Sequence, residues 1–192
     1  MKKFLDIGSH FGETALIALE KKYKFDKVYC FEPVPECCEE IKKIGDKRIE
    51  ICKFGFWNKN CKKQIYNPKS KGASLYKDKF RHEVNSQEIE LKKASEWFKK
   101  NIKKEDKVYL KINCEGSEIA ILDDLIDSGE YKKINVLMVD FDVRKIPSQR
   151  HLMKGMKEKI NKLDIPKVFF IDEYNLGRGT HSYFTHYWLD NS

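Results

Sequence analysis

The sequence contains no C-x-x-C pair, and the spacings of its six cysteines match no metal motif. Cys30, Cys37, Cys38, Cys52, Cys61 and Cys114 are therefore expected to stay reduced and to act as small hydrophobes within strands and helices, and no metal site is expected. No apolar run approaches the roughly 20 residues of a membrane span. Only two apolar residues separate Met1-Lys2-Lys3 from Asp6, too few for a signal peptide, so a soluble cytoplasmic protein is expected. Arginine is also scarce, with 5 residues against 33 lysines. Lysine is the poorer residue for bidentate phosphate recognition, so basicity alone does not argue for a nucleic-acid partner.

What is present describes one globular domain over residues 1–192, with 41% hydrophobic residues and 12% aromatics for a core and 35% charged residues for the surface. The net charge of +8 lies in one place, because residues 59–107 hold 15 Lys and Arg against 7 Asp and Glu while the remainder balances. This basic excursion, irregular from Asn67 to about Val84, is expected to run over the active face.

Strand signals recur at "KFLDIG", "KVYCFEP", "IEICKFGFW", "KVYLKIN", "INVLMVDFDV", "PKVFFID" and "HSYFTHYWL", and helical patterns separate most of them. "PECCEEIKKIG" opens on proline and closes on glycine, as helices do. Ser148 is expected to cap a later helix that carries Leu152, Met156, Ile160 and Leu163 on one stripe. The alternation predicts an α/β fold, doubly wound around a mostly parallel seven-stranded sheet. The linker "EYNLGRGT" is too short for a crossover helix, so the last two strands are expected to form an antiparallel C-terminal hairpin.

The first strand runs into "FLDIGSHFGET", where Gly8 and Gly12 bracket Ser9, His10 and Phe11 ahead of a helix beginning at Glu13. Such a turn brings backbone N–H groups up to a ligand. Glu32 closes the second strand, 20 residues beyond Gly12, where doubly wound folds place the acid that accepts hydrogen bonds from a ribose. Together they read as an adenosine-binding pair. The G-x-x-x-G spacing lacks the middle glycine that a pyrophosphate requires. S-adenosylmethionine, which has no phosphate, suits the loop better, with Asp6 near its ammonium.

Three blocks, "FLDIGSHFGET", "VYCFEPVPE" and "VYLKINCEGSEIAILDDL", resemble the FkbM-type methyltransferases, a branch of the class I S-adenosylmethionine-dependent fold. The third is the most specific, because Lys111, Glu115, Gly116 and Glu118 recur in the family's order and spacing. Asn113 departs from the family's usual Asp and removes a charge, and Ala94-Ser95 replaces a common Leu-Asp pair. The resemblance implies O-methylation of a hydroxyl, with a saccharide or other small hydroxylated acceptor as partner. It implies a cofactor site drawn from Asp6, Gly8, Ser9, His10, Gly12, Glu13, Glu32, Pro33, Phe56, Trp57 and Asn113.

A hydroxyl is a poor nucleophile until its proton is taken, so a base within hydrogen-bond reach is expected. Glu115 follows the fourth strand at its carboxyl edge, and Asp140 and Asp142, two apart, face one way if their strand extends that far. His181 lies beside the Gly177-Arg178-Gly179 loop and is expected on the opposite strand face from His186. Glu115, Asp142 and His181 are the candidate catalytic residues. Two other readings stay open: a divalent-ion nucleotide-sugar enzyme built on Asp140 and Asp142, and an RNA-associated module that keeps the fold.

Overall fold

The computed structural model describes residues 1–174 and 181–192, the side chains of 181 and 182 excepted. Six parallel strands form the main sheet: β1 (Lys2–Ile7), β2 (Lys27–Phe31), β3 (Ile49–Cys52), β7 (Lys107–Ile112), β8 (Ile134–Val139) and β9 (Lys167–Phe170). They stand in the order β3-β2-β1-β7-β8-β9. The chain winds outward from β1 through β3, then re-enters beside β1 at β7. That reversal opens a crevice beyond the carboxyl ends of β1 and β7, where open α/β sheets bind ligands.

Alternation along the strands sends side chains to two cores. Leu5, Ile7, Phe31, Leu110 and Ile112 pack with α3 (Ala94–Asn101), α4 (Glu118–Asp127) and α5 (Leu152–Ile160). Phe4, Val28, Cys30, Tyr109 and Met138 pack on the other face with α1 (Glu13–Ala18), α2 (Pro35–Lys42) and α6 (His181–Asp190). The strands are apolar on both faces because helices cover both.

A second sheet stands beside the first, with β4 (Gly55–Trp57), β6 (Ser86–Lys93) and β5 (Cys61–Tyr66) in that order. β4 runs parallel and β5 antiparallel to β6. The stretch "IEICKFGFW", expected as one strand, splits because the Phe54 N–H turns back to the Cys52 carbonyl (2.8 Å). β4 then leaves the main sheet. Ile65, Ile89 and Leu91 join Val34, Cys37 and Trp57 in a small third core.

The expected seventh strand and antiparallel hairpin are absent among the described residues, because "HSYFTHYWLD" is the helix α6. Its aromatic and β-branched composition imitates a strand, but Thr185, Trp188 and Leu189 recur at helical spacing and are buried. Trp188 packs against Phe4 (5.6 Å between ring centres) and Tyr109 (6.4 Å), sealing sheet that would otherwise lie open. The opposite-face argument for His181 and His186 lapses with the strand. Ser148 does not cap α5, which starts at Leu152; its N–H is held by the Asp78 carboxylate (2.9 Å).

Candidate active site

The loop after β1 is built around a left-handed Gly8, with φ +79°. A Cβ there would lie 2.0 Å from the Asn113 carbonyl oxygen, so only glycine lets this loop pass the loop after β7. The N–H groups of Gly8 and Ser9 both reach the Phe31 carbonyl (3.1 and 3.3 Å), tying the turn to the end of β2. The Ser9 hydroxyl donates to the Asp6 carbonyl (2.7 Å), and Gly12, also left-handed, opens α1. Directly after β2, Glu32 accepts the N–H groups of His10 and Val34, each at 2.9 Å. Burial pushes its carboxyl up to about 7 against these hydrogen bonds.

The loop after β7 is folded around a second acid. Glu118 is fully buried at the head of α4 and accepts the N–H groups of Gly116 (2.9 Å) and Cys114 (3.3 Å). Burial, with the Asp142 charge adding to it, pushes Glu118 up to about 8. Held this way, Glu115 takes a left-handed backbone (φ +55°), uncommon outside glycine.

Two cavities meet at these loops. The apolar arm, about 690 Å³ including its mouth, runs among Phe31, Pro33, Val34, Phe56, Ile89 and Leu91, with Glu32 at its edge. The polar arm, about 700 Å³, is bordered by Ser9, Glu13, Asp140, Asp142, Lys71 and Lys145. Gly8, His10, Lys71, Asn113 and Glu115 line both.

Most of the sequence candidates thus converge. Gly8, His10, Glu32, Pro33, Phe56, Asn113 and Glu115 border the apolar arm, and Ser9, Glu13 and Asp142 the polar one. Asp6 lines neither; it lies wholly buried beneath, 2.8 Å from the Lys111 ammonium, which also donates to the Gly8 carbonyl (2.9 Å). Gly12 turns instead against Ile44 and Ile41. Trp57 faces the small core, under the Lys63 ammonium (3.9 Å). The His181 side chain and the Gly177-Arg178-Gly179 loop fall outside the described residues.

Sequence reasoning singled out none of the lysines at this site beyond Lys111. Residues 67–84 form a strap pinned to both loops. The Lys69 carbonyl accepts from His10 Nε2 (3.0 Å), and Lys71 pairs with Glu13 (3.3 Å). Burial of Glu13 tends to raise its carboxyl, but hydrogen bonds from its own backbone, His10 and Lys71 outweigh this and hold it low. Ser74 Oγ donates to the Glu115 carbonyl (2.6 Å), and Lys79 donates to the Glu115 carboxylate. Lys145, in the turn after β8, lies 2.6 Å from Asp142 and 3.7 Å from Glu115. Burial and the adjacent Glu115 push Asp142 up to about 6 while Lys145 pulls it back. Asp140 is bound by Arg144 (2.7 Å), so both acids of the Asp140-x-Asp142 pair already face cations. Among the described residues no group of three or more His, Cys, Asp or Glu side chains is placed to hold a metal, and no helix is long and apolar enough to cross a membrane.

A doubly wound sheet whose strand order reverses at a glycine-turned crevice defines an open α/β fold. The methyltransferase FkbM domain matches residues 6–169, and the chain belongs to that family. The fold is similar to the crystal structure of methyltransferase FkbM from Methylobacillus flagellatus KT, with a TM-score of 0.52 and 16% identity over 82% of this chain. The chain spans 37% of that protein's length. No curated protein matches the sequence.

Proposed function

We propose that the chain is an S-adenosylmethionine-dependent O-methyltransferase acting in the cytoplasm on a hydroxyl of a sugar or glycan. The carrying observation is the two-armed cavity, whose apolar arm includes Glu32 in its lining and whose polar arm collects the carboxylates Glu13, Glu115, Asp140 and Asp142, with Gly8 and Asn113 lining both. The residues fit this cofactor. An aromatic base suits the apolar arm that Phe31, Val34, Phe56 and Leu91 line together, and the Glu32 carboxylate can accept from ribose hydroxyls. Gly8 lets the loop after β1 lie directly against the Asn113 carbonyl, and both residues line the two arms. The family match to methyltransferase FkbM supports the reaction class, and six free cysteines suit a reducing compartment.

When bound, S-adenosylmethionine supplies an electrophilic methyl group on a sulfonium. The protein supplies position and a shaped cavity bordered by the strap. In this reading Glu115 or Asp142 takes the acceptor hydroxyl's proton, which makes that oxygen nucleophilic. The polar arm, with lysines and carboxylates side by side, suits a neutral polyol that both donates and accepts hydrogen bonds. His181 remains a candidate only from its place in the sequence.

Calorimetric titration with S-adenosylmethionine and S-adenosylhomocysteine tests the reading. The wild-type protein is expected to bind both, and Glu32→Gln to bind about tenfold or more weakly, the cost of losing charge-assisted hydrogen bonds. A folded wild-type protein that binds neither would remove the cofactor and the reaction together.

A further inference from the structure

Lys145 borders the polar arm and lies between the two carboxylates to which the proposed chemistry assigns the proton. Its ammonium is 2.6 Å from Asp142 Oδ1 and 3.7 Å from Glu115 Oε2, and its side chain is 45% exposed. Asp142, by contrast, is 1% exposed. A carboxylate so buried beside another acid cannot stay ionised without a nearby cation.

The surroundings show which cation does this. From its own turn Asp142 faces Lys145 and Arg144, the latter at 3.2 Å and shared with Asp140. From the loop after β7 it faces Glu115 and the Cys114 thiol, and from α4 the buried Glu118. The strap presents Lys79 to Glu115. Arg144 is divided between Asp140 (2.7 Å) and Asp142 (3.2 Å), Lys79 is held by Glu115, and Lys145 is the cation closest to Asp142. Lys145 bridges Asp142 and Glu115.

We propose that Lys145 is the positioning residue of the Glu115–Asp142 pair: its ammonium holds Asp142 as an anion against the polar arm, so that the pair can accept one proton. This rests on the methyltransferase reading, in which that proton passes from the acceptor oxygen to a carboxylate oxygen as the oxygen takes the methyl group from the donor's sulfonium, the S–CH3 bond breaking to leave S-adenosylhomocysteine. Without Lys145 the Asp142 carboxyl would hold its proton more readily and be the weaker base.

The test is carboxyl ¹³C NMR titration of the whole chain, labelled at Asp and Glu, in wild type, Lys145→Met and Lys145→Arg. Removing an adjacent cation is expected to raise the pair's midpoint by about one pH unit or more in Lys145→Met, while Lys145→Arg keeps it near the wild-type value. An unmoved midpoint in Lys145→Met overturns the proposal. Calorimetry with S-adenosylhomocysteine runs beside it, with unchanged affinity expected for Lys145→Met. A large loss there means that Lys145 holds the cofactor instead, which also overturns it. The titration decides the role of Lys145 whatever the wild-type calorimetry shows. A wild-type protein that binds no S-adenosylhomocysteine counts against the cofactor reading.

Discussion

Asp6 and Lys111 face each other across neighbouring strands in register, 2.8 Å apart and both buried. Burial drives the Asp6 carboxyl up and Lys111 pulls it back down. The acid that the sequence places near the cofactor ammonium is therefore a foundation under the Gly8 turn. Asp6→Ala would leave the Lys111 ammonium buried without its partner, and the expected loss is about 3–5 kcal/mol of stability, read by urea unfolding. Weak ligand binding in that variant would report misfolding, so Glu32 is the cleaner probe. At this scale the sequence shows what local spacing encodes: Gly8 four before Gly12, Glu32 at a strand end, the Glu115-Gly116-x-Glu118 run. Lys79 and Lys145 were not legible. Their partners depend on tertiary placement, with Lys79 standing 36 positions from Glu115, and no one lysine stands out among 33.

The same division holds between elements. All six main-sheet strands could be read because parallel strands covered on both faces are near-continuous apolar runs. β5 and β6 could not, since their exposed positions carry Lys62, Gln64, Glu88 and Glu90 and only Ile65, Ile89 and Leu91 point inward. The order of the small sheet, with β4 parallel to β6, has no local signal at all. α6 was misread because its aromatics serve a helical face. Trp188 is the test of that face, being among the largest fully buried side chains. Trp188→Ala is expected to destabilise the protein by about 3–5 kcal/mol through lost burial and the cavity left over Phe4 and Tyr109. If α6 is only loosely attached, the urea midpoint will hardly move and the helical assignment of its packing fails.

Across the whole molecule the buried acids set how stability responds to pH. Glu118 rises from an ordinary 4.5 to about 8 in the folded chain, chiefly through burial, so the native state holds a proton that the unfolded chain has already released. Between those two values stability falls as pH rises, because unfolding lets the carboxyl ionise in water. Glu32 adds the same sign up to about 7 and Asp142 up to about 6. Acids held low, such as Asp106 at about 2 through Lys3 and its other hydrogen bonds, act the other way and lose their stabilisation only in acid. Glu118→Gln separates these contributions. Gln can accept the same two N–H groups from Gly116 and Cys114 but cannot ionise. The stability of the variant relative to wild type is expected to climb from about pH 4.5 to about pH 8 by up to 1.4 kcal/mol per unit, then level off. Urea unfolding of both proteins at half-unit steps measures this. A difference that stays flat across the range would mean that Glu118 is charged in the folded state, and the loop that carries Glu115 would then be held by an anion rather than by a neutral acid.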